Sequence, residues 1–211
     1  MTTNPAAGIV GILLAAGRGE RFGGAKLLAS VSPTASASAG APTGDRSPGA
    51  APELVGVMAC RKLLAALPRV VAVVRPDDAA LAAALRAVGA RIVRCANADS
   101  GMGASLACGV LATADAAGWV VALGDMPWIE SSTIARVAGA IAEGAVVAAP
   151  FHRGQRGHPV GFGAACLAAL SALAGDDGAK SIVAAYGDSL VRIDIDDAGA
   201  LRDVDRPSDL A

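Results

Sequence analysis

Ile9-Val10-Gly11-Ile12-Leu13-Leu14-Ala15-Ala16-Gly17-Arg18-Gly19-Glu20-Arg21-Phe22-Gly23-Gly24-Ala25-Lys26 is the stretch on which the reading of this 211-residue chain turns. Its first six residues are an apolar run that reads as a buried strand. The chain then becomes a loop dense in glycine and cationic side chains. Glycine lets a backbone approach a ligand closely and present its N–H groups. Arg18, Arg21 and Lys26 add positive charge where those groups point. Gly17-x-Gly19-x-x-x-Gly23 is one residue longer than the dinucleotide spacing, and glycines alone would suit any strand-to-helix turn. A structural turn has no need of three cations, so a phosphate-binding loop is expected.

Outward from this loop, strand and helix signals alternate. Val70–Val74, Arg91–Arg94, Trp119–Leu123, Ala145–Ala149 (ended by Pro150) and Val191–Ile195 read as strands, the last at a sheet edge. Leu54–Leu67, Asp77–Val88, Ser100–Ala114 and a segment from Ser131 or Ser132 to Ala142 read as helices, with those serines as caps. The alternation predicts an α/β fold: a doubly wound, mainly parallel sheet covered on both faces. Residues 30–52 are Ala, Ser, Gly, Pro and Thr with almost nothing to bury, and read as a disordered insertion within a single domain spanning 1–211.

Hydrophobic residues are 54% of the chain and aromatics 3%, so the core is expected to be Val/Leu/Ile strands under closely approaching helices. Net charge is −1, with no long basic run, which argues against nucleic-acid binding. No apolar run nears the roughly 18–20 residues of a membrane span. The N-terminus lacks the positive region of a secretory signal. Cys60, Cys95, Cys108 and Cys166 are widely spaced and read as free thiols of a cytoplasmic protein.

Ligands of such sheets gather at the carboxyl ends of strands, where the Gly17 loop and Gly124-Asp125 both fall. Asp125 suits Mg²⁺, which prefers oxygen ligands and substrate phosphates, although a turn-forming Asp before Pro127 would look the same. Asp203 and Asp205 offer a second ligand, with Asp194, Asp196 and Asp197 as competitors. His158, in the cationic loop Arg153–Pro159, suits an acidic second substrate. Gly175-Asp176-Asp177-Gly178-Ala179-Lys180 reads as a loop feeding a helix, able to bind a phosphate. Ser100-Gly101-Met102-Gly103-Ala104-Ser105 either touches a base or sugar or merely opens its helix.

Taken together, six motifs resemble the MobA-like nucleotidyltransferase family, and most closely its molybdenum-cofactor cytidylyltransferase branch. They are Leu14-Ala15-Ala16-Gly17-x-Gly19-x-Arg21-Phe22-Gly23-x-x-Lys26, Gly101-Met102-x-x-Ser105-Leu106, Leu123-Gly124-Asp125-Met126-Pro127, Arg156-Gly157-His158-Pro159, Gly175-Asp176-x-Gly178-Ala179 and Asp203-Val204-Asp205-x-Pro207-x-Asp209-Leu210. The resemblance implies a Rossmann-like nucleotidyltransferase fold and transfer of CMP from CTP to a molybdopterin-type cofactor. It implies Arg21, Lys26 and Asp125 as catalytic residues, and Mg²⁺ on Asp125 and Asp205. It implies a nucleotide bound by Ala15, Ala16, Gly17, Arg18, Gly19, Gly23, Lys26, Ser100, Gly101 and Ser105, and the acceptor by His158, Asp176 and Lys180. A pterin-type cofactor and a recipient molybdoenzyme are the implied partners. Gly19 stands where many members carry Ser, and the insertion replaces a compact loop. The family's neighbourhood also holds NAD(P)H-dependent reductases, such as nicotine blue oxidoreductase. In that alternative the loop takes the pyrophosphate of NADH or NADPH, and Arg75 meets a 2′-phosphate.

Overall fold

The computed structural model describes residues 8–19, 22–31, 52–176 and 178–210. The apolar run forms β1 (Ile9–Leu14). A two-residue antiparallel ladder follows, β2 (Ser30–Val31) on β3 (Glu53–Leu54), and leads into α1 (Val55–Ala66). Then come β4 (Val70–Val74), α2 (Ala79–Ala87), β5 (Arg91–Arg94), α3 (Met102–Leu111) and β6 (Gly118–Leu123) in strict alternation. The second half holds α4 (Ser131–Ala142), β7 (Val147–His152), β8 (Gln155–Arg156), β9 (Val160–Gly163), α5 (Leu167–Ser171), α6 (Lys180–Tyr186) and β10 (Val191–Ile195). The main sheet runs β10-β7-β9-β6-β1-β4-β5, with β8 folded back on β7.

β1 lies parallel to both neighbours, β4 and β6. Such a strand is buried on both faces and so must be apolar throughout. Ile9 and Leu13 point into one core layer, shared with α1, α2 and α4. Val10 and Ile12 point into the other, shared with α3, α5 and α6. The alanine and glycine content makes these layers thin. A Cβ on Gly109 of α3 would stand 2.9 Å from Ile12 Cγ2, so only glycine lets α3 come this close to the sheet. Trp119 is fully buried and donates its indole N–H to Thr113 Oγ1 at 2.9 Å. Among the described residues no helix is long and apolar enough to cross a membrane.

Several expectations need correction. The strand expected to end at Pro150 runs to His152. Its ladder with β9 ends at Ala148 and its ladder with β8 begins at Phe151, so Pro150 sits where neither antiparallel neighbour is paired. β9 itself, antiparallel between β6 and β7, was not expected from its short Val-Gly-Phe-Gly sequence. Neither Ser131 nor Ser132 caps α4, which they merely open. Asp197, 67 residues from Glu130, does so instead: Oδ2 accepts the Glu130 N–H at 2.9 Å and the Thr133 hydroxyl at 2.7 Å. Ser100 does not cap α3; Gly101 holds the N-cap position at φ 106°. Ser30 and Val31, placed in the insertion, belong to the fold, with Val31 buried. The stretch 32–51, on which the rest of that expectation falls, lies outside the described residues.

Candidate active site

β1 and β6 run in register, Leu14 beside Leu123, so both chains leave the sheet at one place. The Gly124 N–H donates to Leu14 O at 2.9 Å and fixes the two loops together. Gly19 takes φ +63°, and a Cβ there would stand 2.5 Å from Gly24 O, which explains glycine where Ser is common. Its carbonyl accepts the N–H groups of Phe22 (3.0 Å) and Gly24 (3.4 Å), curling the loop. The curl sends the following turn, Lys26–Leu28, back across the end of β6.

There the Lys26 ammonium lies 2.7 Å from Asp125 Oδ2 and 3.7 Å from Asp205 Oδ1. Asp205 arrives from the far end of the chain because the Val204 N–H donates to Asp125 O at 2.8 Å, with Val204 fully buried. Asp203 is beside them; partial burial and then Asp205 raise its carboxyl above the usual range. This docking sets Asp205 beside Asp125. Asp197 is spent on capping α4, and Asp196 lies 4.0 Å from His152 instead.

A cleft of about 600 Å³ opens over this cluster. Ala16, Gly17, Arg18, Gly19, Lys26, Gly101, Ser105, Asp125, Asp176 and Asp205 all line it, so the structure brings together most of the expected site. Gly101 needs its φ of +106° here, since a Cβ would strike Asp176 Oδ1 and Gly175 O at 2.4 Å. The Gly103 N–H donates to Gly175 O at 2.8 Å, which ties the loop before α6 to the start of α3.

Other expected residues sit off the wall. Ala15 is in the core, its N–H given to Val73 O at 2.9 Å. Gly23 is exposed at the outside of the curl, and Ser100 is exposed in the turn before Gly101. Lys180 is exposed at the first turn of α6. Arg21 lies outside the described residues. His158 is mostly buried, with Nδ1 unpartnered and its backbone N–H on Ala200 O. Burial holds its pKa down at about 4; Arg156 and Lys180 push the same way and Asp125 opposes them. His158 is therefore a neutral polar group.

Two cleft residues carry more than the sequence reading gave them. Arg75, at the end of β4, and Arg18 both grip Asp99, at 2.7 Å and 2.5 Å. The two guanidiniums, Arg75 first, lower the Asp99 pKa. Nothing in the sequence singled out Asp99, which occupies an ordinary polar turn, Asn97-Ala98-Asp99-Ser100.

Among the described residues no three His, Cys, Asp or Glu side chains are grouped to hold a metal. Asp125 and Asp205 supply two hard oxygen donors facing one cation. That set suits Mg²⁺ or Mn²⁺, which complete their shells with phosphate oxygens and water.

Among curated proteins none matches this chain significantly. Solved structures do match. Rv0371c of Mycobacterium tuberculosis H37Rv, in a complex with manganese, is 22% identical with a TM-score of 0.71, over 95% of each chain. Mth528, described as a nucleotidyl transferase from Methanothermobacter thermautotroptrophicus, is 23% identical with a TM-score of 0.74, over 95% of this chain and 93% of its own. Molybdopterin-guanine dinucleotide biosynthesis protein A from Archaeoglobus fulgidus is 15% identical with a TM-score of 0.62, over 95% and 94%. These likenesses establish the doubly wound fold. Residues 11–190 match the model of the MobA-like NTP transferase domain, a span that holds the Gly17 loop, Lys26 and Asp125, and the chain therefore belongs to the MobA-like NTP transferase family of nucleotidyltransferase enzymes.

Proposed function

We propose that this protein transfers CMP from CTP to a molybdopterin-type acceptor, with release of pyrophosphate and dependence on Mg²⁺. The observation that carries the reading is Lys26 held between Asp125 and Asp205 beside the Gly17–Gly19 loop. The manganese complex of Rv0371c supports a divalent ion in this fold. The acceptor is supported by the motif resemblance and by the Archaeoglobus neighbour, whose name refers to a molybdopterin dinucleotide. The base is supported by Leu14-Ala15-Ala16-Gly17, part of the motif set that resembles the cytidylyltransferase branch.

An oxygen of the acceptor's phosphate attacks the α-phosphorus of CTP, and the bond from that phosphorus to the β-bridging oxygen breaks. The Gly17–Gly19 backbone holds the triphosphate in line. Lys26 offsets charge that grows on the α-phosphate and the leaving pyrophosphate. Asp125 and Asp205 would hold the divalent ion, which when bound draws charge from the phosphate oxygens. Catalysis of this kind is positional and electrostatic, with no covalent work for the protein. Asp176, from the loop tied to α3, lines the cleft and would meet the acceptor there. The product passes to a recipient molybdoenzyme.

Arg75 is a poor ligand for the 2′-phosphate of a reduced dinucleotide, because it already pairs with Asp99 and stands 3.5 Å from Asp77. The test is pyrophosphate release with CTP, GTP or UTP, Mg²⁺ and molybdopterin cofactor. Release with CTP above the others is expected. No release with any of them, from an acceptor that a known transferase consumes, would overturn the reading.

A further inference from the structure

Asp99 is a carboxylate in a cleft built for a polyanion, which needs explaining. Three arginine N–H contacts converge on one of its oxygens. Arg18 Nε reaches Oδ1 at 3.1 Å, Arg18 Nη2 at 2.5 Å and Arg75 Nη2 at 2.7 Å. A fork-on-fork pair would divide its two bonds between the two oxygens. Here Arg18 spends both on Oδ1, which among the described residues leaves Oδ2 as the acceptor available to the cleft. The carboxyl side is 59% exposed, while Arg75 is 16% exposed and so well anchored.

What can meet Oδ2 follows by elimination. A phosphate would face an ionised carboxylate. A metal ion would face two guanidiniums. Asp99 also shares no ion pair with the Lys26, Asp125 and Asp205 cluster. A neutral hydrogen-bond donor remains, and the nucleoside end of the substrate carries two kinds: an amino group on the base and hydroxyls on the ribose. An aspartate accepting from the cytosine amino group is a known way to read that base.

We infer that Asp99, locked by Arg18 and Arg75, is a specificity-determining residue whose Oδ2 accepts a hydrogen bond from a donor on the nucleoside of the substrate. This rests on the nucleotide-transfer reading of the cleft. It adds the rule by which one nucleotide is chosen over another.

Asp99→Asn gives a directional test. The two arginines hold the amide oxygen, so the amide N–H₂ turns to the cleft and acceptor becomes donor. Equilibrium binding of CTP, UTP and dCTP with Mn²⁺ is compared for the wild type and Asp99→Asn, with thermal melts to confirm folding. If the base amino group is read, the preference for CTP over UTP falls by roughly tenfold or more. If the ribose is read, the preference for CTP over dCTP falls instead. Asp99→Ser, too short to reach, brings whichever preference is affected close to unity. Equal loss for all three nucleotides, or no change, overturns the inference while leaving transfer intact. Failure of the wild type to bind any triphosphate overturns both.

Discussion

The two charged clusters of the cleft are built in opposite senses. At the β1–β6 end one cation, Lys26, is set between two acids, Asp125 and Asp205. At the β4 end one acid, Asp99, is set between two cations, Arg18 and Arg75. Both pair opposite charges without a ligand, the first with one negative charge in excess and the second with one positive, and they respond to a ligand differently. The first must open: a metal ion needs the carboxylates and a triphosphate needs the lysine, so each partner frees the group the other wants. The second stays closed and offers an oxygen. On the proposed reading, the first cluster is where bonds change, and the second is where the substrate is identified.

Variants at the two ends should therefore differ in kind. The largest effect is expected for Asp125→Ala, with pyrophosphate release lowered by about 10³-fold or more. Its melting temperature should hold, because the backbone carbonyl that docks Val204 is kept. An Asp125→Ala enzyme with near-normal turnover would break the comparison. Lys26→Met should lower turnover by roughly 10²-fold. It should also bind Mn²⁺ alone more tightly than the wild type, measured calorimetrically, since the built-in counter-ion is gone. Unchanged Mn²⁺ affinity would mean that Lys26 does not compete with the metal.

Acid should separate the ends again. His158 borders the first cluster, where burial sets its pKa at about 4. The unfolded ring takes up its proton near pH 6.5. A lowered histidine pKa stabilises the fold fully above the unfolded value, and that stability is lost as pH falls from about 6.5 towards 4. The loss amounts to up to roughly 3 kcal/mol. His158→Gln should flatten this part of the acid dependence, read as urea midpoints at pH 7 and pH 4.5. An identical slope in wild type and variant would contradict the assignment. The smallest effect is expected at the second cluster, where Arg18→Met should barely move the melting temperature, because exposed pairs contribute little.

How legible each part was follows from how local its cause is. The Gly17 loop could be read because glycines and cations adjoin in sequence, and Asp125 because it follows its own strand. The acid run at 203–205 could be nominated but not chosen, since its place depends on one backbone bond, Val204 to Asp125, across 79 residues. Asp197 capping α4 and Asp99 clamped by Arg18 and Arg75 have causes at long range and left no local pattern. β9 escaped because four residues with two glycines carry too little periodicity to mark a strand. Pro150 misled because a proline ends a strand only where its missing N–H would have been paired.

The cleft should move a nucleotidyl group. Parallel reactions with CTP labelled at the α- or the γ-phosphate, Mg²⁺ and molybdopterin cofactor test it most directly. The expected result is α-label in the acceptor product and γ-label in pyrophosphate, in equal amounts. Label from the γ-phosphate in the acceptor, or nucleotide turnover that leaves the acceptor unlabelled in both reactions, would contradict it.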